Sequence, residues 1–182
     1  MNKKDKIIIA LISVAIALFV VIQFVIVPAN EKKQAEYALN QTDSLTHDYT
    51  VIENYKNSYI GNTSNVAQLF YALPLNNIPM KFEIDSDACT LTVYYLDTVW
   101  NIGEHKVHRD LIYNTVAAMA AIDNLEAITY EFSGTEYLFK RDEIEEFFKM
   151  PFSELLSENT WKESLQNNLN SDEFVARFFS NK

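Results

Sequence analysis

The sequence predicts an α+β domain carried behind a single transmembrane helix. Three observations point there. The run from Ile7 to Val27 is 21 residues long and uncharged. Two segments of helical period follow later, and each is succeeded by a pair of short alternating segments joined by a turn. All but Phe19 and Phe24 of the aromatic residues lie outside the apolar run, which supplies a core for a separate domain.

The apolar run holds sixteen Ile, Leu, Val or Phe residues, with Ser13 and Gln23 as its polar members. At about 1.5 Å rise per residue such a helix spans roughly 31 Å, enough for a hydrocarbon core of about 30 Å. A buried helix of a globular protein would carry a polar stripe, and this run has none. A cleaved signal peptide is the rival reading, with Val27-Pro28-Ala29 as a loose cleavage site. Signal-peptide cores run to only about 7–15 residues, so an uncleaved anchor is expected. Lys3, Lys4 and Lys6 precede the run, whereas Lys32 and Lys33 are offset by Glu31 and Glu36. The positive flank predicts residues 1–6 in the cytoplasm and the rest beyond the cell membrane, a single-pass protein touching lipid through one helix.

The chain carries 25 acidic and 15 basic residues, and the acidic excess lies outside the first six. Phosphate binding needs clustered Lys and Arg, so nucleic acid is not an expected partner. Three isolated glycines leave no glycine-rich phosphate loop, and no nucleotide is expected. Cys89 is the only cysteine, so stability must come from a core rather than a disulfide.

Residues 28–57 read as a stalk. Pro28 is expected to end or kink the membrane helix, and Leu45, Tyr49, Ile52 and Tyr55 recur at helical spacing, suited to docking on the domain. The domain is expected over 58–150. Thr63 or Ser64 can cap a helix with Val66, Leu69, Phe70 and Leu73 on one face, ended by Pro74. Met80–Ile84 and Thr90–Leu96 alternate, with Leu91, Val93 and Tyr95 on one side, and Asp85-Ser86-Asp87-Ala88 suits the turn between them. The strongest helix signal is Val107–Leu125, followed by strands at Ala127–Phe132 and Glu136–Lys140 about Ser133-Gly134. The order α-β-β-α-β-β implies helices on one face of an antiparallel sheet. Residues 151–182 read as a C-terminal helical extension. Asp142 can cap the helix before it, Thr160 with Glu163 has capping-box spacing, and Phe174, Phe178 and Phe179 form an apolar edge.

The chemistry-bearing residues point to no reaction. His105 and His108 with Glu104 share a helix face, but a metal site needs more ligands and His47 is the only other histidine. Asp85 and Asp87 resemble the start of a calcium loop, yet Thr90 and Leu96 stand where that loop needs Gly and Glu. Cys89 has no activating neighbour, and Glu143, Glu145 and Glu146 read as a solvated helix face. No cofactor is expected.

Tyr59-Ile60-Gly61-Asn62 with Val66, Leu69 and Leu73-Pro74-Leu75 resembles the opening of the bacterial family called domain of unknown function 4825. Leu91-Thr92-Val93-Tyr94-Tyr95, the stretch Ala117–Phe132 with its Asp123-Asn124, and Arg141-Asp142-Glu143 before an aromatic helix extend the resemblance over roughly 57–150. The resemblance implies a membrane-tethered extracytoplasmic domain with no assigned activity.

The functional expectation is therefore a non-enzymatic sensing or interaction module. Its expected partner is another cell-envelope protein, met through the aromatic pairs Tyr94-Tyr95 and Phe178-Phe179. The alternative is a binding module for a cell-envelope ligand that uses exposed tyrosines, and an enzyme comes third.

Overall fold

A computed structural model describes residues 2–180 as two units, one ending at Leu39 and a compact one beginning at Asn40. In the first, α1 (Lys3–Val21), a π turn (Ile22–Ile26) and α2 (Val27–Asn40) run on as one helix. It is long and apolar enough to cross a membrane, and most of its described apolar side chains are exposed. Asn2 and Asp5 form a reciprocal cap at its start. Of the two expected effects of Pro28, ending the helix does not occur: α2 continues to Asn40. Proline removes an N–H and crowds the preceding turn, and the wider π turn directly upstream takes up that conflict.

The second unit joins a 3-10 segment (Tyr49–Tyr55), α3 (Thr63–Ala72), the strands β1 (Met80–Asp85) and β2 (Thr90–Tyr95), the short α4 (Val99–Ile102) and the long α5 (Glu104–Ala121). Then come β3 (Ala127–Phe132), β4 (Thr135–Lys140), α6 (Arg141–Phe148), the short α7 (Phe152–Leu155) and α8 (Glu158–Thr160), two irregular turns over 161–170, and α9 (Asp172–Ser180). The class is α+β, as the sequence predicts. Asn62 caps α3 by accepting from Asn65 N, one residue ahead of the expected cap. Ser157 rather than Thr160 precedes α8, and the expected box with Glu163 is replaced by a Ser157–Thr160 hydroxyl bond of 2.6 Å.

The sheet is four-stranded in the order β1-β2-β3-β4, and here one expectation fails. Both hairpins are antiparallel, but β2 pairs with β3 in parallel, Thr90 opposite Ala127 and Val93 opposite Tyr130. The sheet is mixed rather than antiparallel because of what lies between the hairpins. The 18-residue α5 is about 27 Å long, enough to carry the chain from the exit of β2 back to its entry, so the next strand must start at the same end.

One sheet face is covered. Phe70 of α3 meets Phe82 and Tyr130 with ring centroids 5.7 and 6.4 Å apart, and Thr115 of α5 bonds the Tyr130 hydroxyl at 3.3 Å. Helix α5 is buried on its other side too, where Tyr113 packs edge-on against Trp161. It is the middle of three layers, with residues 41–55 and 152–170 forming the third. The expected stalk therefore stops at Asn40: Ser44, His47 and Ile52 are buried parts of the compact unit, and so are Trp161, Leu165 and Leu169 of the expected extension.

Candidate functional site

Several polar side chains are buried in this core with partners, while Tyr95 Oη and Trp161 Nε1 are buried without one among the described residues. Asp110, fully buried on α5, accepts from Ser44 N at 2.9 Å and pairs with Lys106, whose ammonium also reaches Thr42 O at 2.6 Å. Gln166 donates to Ser44 O and His47 O, both at 2.9 Å. His47 lies between Tyr113 Oη (Nδ1, 2.8 Å) and Ala72 O (Nε2, 2.8 Å). The carbonyl can only accept, so Nε2 carries the proton and Nδ1 accepts from the tyrosine. Burial pulls the His47 pKa below its ordinary 6.5, against the Ala72 carbonyl and the Asp48 charge, which favour the charged ring.

The sign of the linkage follows. The unfolded chain binds a proton near pH 6.5 and the folded chain only below it, so protonation favours unfolding. The compact unit is expected to keep the His47 contribution in full above that pH and to lose stability as the pH falls through it. Asp110 acts in the opposite direction at lower pH, because burial outweighs Lys106 and raises its carboxyl above the ordinary value. Urea midpoints of the 40–182 fragment at pH 7.5, 6.5 and 5.5 test this. His47→Gln keeps a donor for Ala72 O without a titratable ring and should flatten the upper part of the profile; an unchanged slope would show that His47 is not its source.

The residues singled out by sequence are scattered. Ile7 and Val27 lie within the continuous apolar helix. Tyr94 and Tyr95 separate onto opposite faces of β2. Tyr95 is 2% exposed and stacks on Phe132 at 4.9 Å, which removes it from any contact surface. Phe178 is likewise 2% exposed, 5.8 Å from Phe139 and 5.0 Å from Phe147, and Phe179 is half-buried over His108 at 4.4 Å. The C-terminal pair therefore holds α9 to the covered sheet face. The two α5 histidines diverge, His105 to Asp172 (2.5 Å) and His108 to the Tyr137 hydroxyl (3.2 Å). Asp85 closes its turn by accepting from Asp87 N and Ala88 N. Cys89 takes a left-handed φ of 57°, and its sulfur accepts from Asn124 Nδ2 at 3.3 Å. Glu143 pairs with Lys140 and Glu145 with Arg141.

Tyr94 alone of the four contact candidates faces the open side of the sheet. Register places Lys81, Tyr94, Glu131 and Glu136 in one row across all four strands, and the Tyr94 hydroxyl donates to Glu83 at 2.7 Å. That bond, with the charges of Glu131 and Glu136, pushes the Tyr94 pKa up to about 12. Glu131 and Glu136 stand directly opposite each other, a like-charge pairing that weakens a sheet. At the end of β2, Leu96 is 56% exposed and Trp100 86% exposed. Sequence reasoning missed Trp100. Thr98 caps α4 and Val99 turns into the core, so the next side chain, one helical step round, must turn out. A cavity of about 540 Å³ is a polar groove lined by Lys56, Asn57, Ser58, Asp123, Ser153 and Leu156. None of its lining residues is a tyrosine.

Fold and surface together define an α+β domain behind one apolar N-terminal helix, with structural polar groups inside and an acidic, partly aromatic face outside. The chain belongs to the family described as Domain of unknown function (DUF4825), whose model matches residues 52–144. No curated protein and no solved structure matches it. The motif residues that carry the family resemblance have mechanical roles. Asn62 caps α3, Asn124 accepts from Ile60 N at 2.7 Å, and Arg141 caps the end of α5 through Met119 O and Ile122 O.

Proposed function

We propose that the protein is a single-pass, membrane-anchored extracytoplasmic module that acts without catalysis, by contact with another cell-envelope protein. The observation that carries this reading is Trp100, 86% exposed on the short helix that follows β2 and the exposed Leu96. A tryptophan left in water forgoes a large burial gain, and tryptophan is among the residues most concentrated at the energetic centres of protein interfaces. The opposed Glu131 and Glu136 add a preference: a partner bearing Lys or Arg relieves their repulsion. The positive flank of Lys3 and Lys4 supports an outward-facing domain, and a tether keeps even a weak interface occupied by raising the effective concentration of membrane neighbours.

The test is in-cell photocrosslinking of the full chain. A photoreactive residue replaces Trp100 in one strain and the exposed Glu173 of α9 in another. A distinct envelope protein captured from position 100 and not from 173 is the expected result. Crosslinks confined to copies of this chain, or equal capture from both positions, would defeat the reading.

A further inference from the structure

We propose that the N-terminal helix pairs in parallel with the same helix of a second copy, through a seam that ends at Gln23. The inference rests on reading Ile7–Val27 as a membrane span, and it is independent of the contact at Trp100.

The span has two polar side chains, and they differ in how they are satisfied. The Ser13 hydroxyl donates to Ile9 O at 2.9 Å within its own helix. Gln23 is exposed within a span that is apolar apart from it and Ser13, and its amide makes no hydrogen bond among the described residues. In hydrocarbon such a group gains by finding a partner on a neighbouring helix. A carboxamide has two donors and two acceptor sites, so it is complementary to itself. Every copy of a single-pass chain inserts with one orientation, so a second copy presents the same amide at the same depth. A parallel homodimer therefore satisfies this requirement without a specialised partner.

Spacing is the second observation. Ser13, Ile16, Val20 and Gln23 follow a 3-4-3 pattern, the stripe that two parallel helices share as a left-handed seam. Ile16 and Val20 are β-branched and exposed, at 59% and 45%. One polar side chain within such a seam fixes register. The seam stops at Gln23 because the π turn over Ile22–Ile26 adds a residue and rotates Val27 away from it. Electrostatics permit the pairing. In a parallel pair Lys3, Lys4 and Lys6 of the two copies lie near one another in the aqueous flank, where Asp5 offsets one charge in each copy and salt, with a Debye length of about 8 Å, screens the remaining repulsion. On the other side Glu31, Lys32, Lys33 and Glu36 balance one another.

The experiment uses the full chain in its own membranes, with Cys89→Ser removing the native thiol. Oxidative crosslinking is compared for Ile16→Cys and Val20→Cys on the seam and Leu18→Cys on the far side. Dimers are expected from 16 and 20 and not from 18. Added to the Val20→Cys chain, Gln23→Leu should weaken association about 3- to 20-fold, the range measured for interhelical hydrogen bonds in membranes. Equal crosslinking at 16, 18 and 20, or an unchanged dimer fraction with Gln23→Leu, overturns the proposal; the second is the result expected if Gln23 simply reaches to the headgroups. Alkaline extraction of the same membranes separates the two premises. Release of the unsubstituted chain overturns the membrane span and this pairing together, whereas retention without pairing overturns the pairing alone.

Discussion

Replacing Arg141 by methionine is expected to lower the unfolding free energy of the compact unit by about 3–5 kcal/mol, a large fraction of the roughly 5–15 kcal/mol that domains possess. The last carbonyls of a helix have no partner within it. At the end of α5 one guanidinium serves them, donating from Nη2 to Met119 O and Ile122 O at 2.8 Å and from Nε to Leu125 O at 2.7 Å. It also lies 4.9 Å from the centre of the Phe152 ring and 3.7 Å from Glu145. A hydrogen bond to a charged group contributes about 1.5–3 kcal/mol, and three sharing one side chain add to less than their sum. Methionine fills the space but leaves the carbonyls orphaned in a partly buried site. That is why swapping a buried charge for an apolar residue, often neutral for an ion pair, is costly here. Arg141→Lys should recover only part of the loss, because one ammonium on a flexible stem cannot span three carbonyls set around a fork. Chemical denaturation of the wild type and both variants decides the matter. A loss below about 1 kcal/mol for methionine, or full recovery by lysine, would mean the carbonyls find other partners.

The same arginine shows what sequence could and could not reveal. Arg141-Asp142-Glu143 was visible as a motif, but the carbonyls it serves lie 16 to 22 residues earlier and carry no side-chain signature. Secondary structure was legible where one local pattern governs it. The alternation of Leu91, Val93 and Tyr95 marked β2 and its inward face, and Asp85 marked the preceding turn. That alternation already separates Tyr94 from Tyr95, since neighbours on a strand point to opposite faces, so the pair could never have served jointly as a contact. The parallel joint between the hairpins was not legible, because it depends on how far α5 carries the chain rather than on the residues of β2 or β3. The two-sided burial of α5 was hidden for a related reason. Asp110 looks like a solvent position until Ser44, 66 residues earlier, supplies its N–H.

The sequence boundaries of 58–150 are expected to fail as a folding unit, while residues 40–182 fold cooperatively by themselves. The shorter polypeptide keeps the whole sheet, α3, α5 and α6, and it contains most of the stretch matched by the family model. It lacks the third layer. Ile52, Phe152, Leu155, Leu156, Trp161, Leu165, Leu169, Phe174, Val175 and Phe178 are all buried in the complete unit and all fall outside it. Burying one large apolar side chain stabilises by about 1.5–3 kcal/mol, so losing ten exceeds the whole stability of a domain even after a generous discount for entropy regained. Polar losses act in the same direction. Without residues 41–57, Asp110 loses Ser44 N and Tyr113 loses the acceptor it has in His47. Each then loses its native partner to water on a newly exposed face of α5, a further loss of structure-specific bonding. The hairpins and α5 keep their local preferences, so the expected species is compact and partly helical. Its near-ultraviolet circular dichroism should be weak, and its thermal transition broad. The 40–182 chain should give a sharp transition that coincides in the near and far ultraviolet. A sharp, coincident transition from 58–150 would show that the sheet and α5 suffice, and that residues 41–57 and 151–180 only decorate a core already complete.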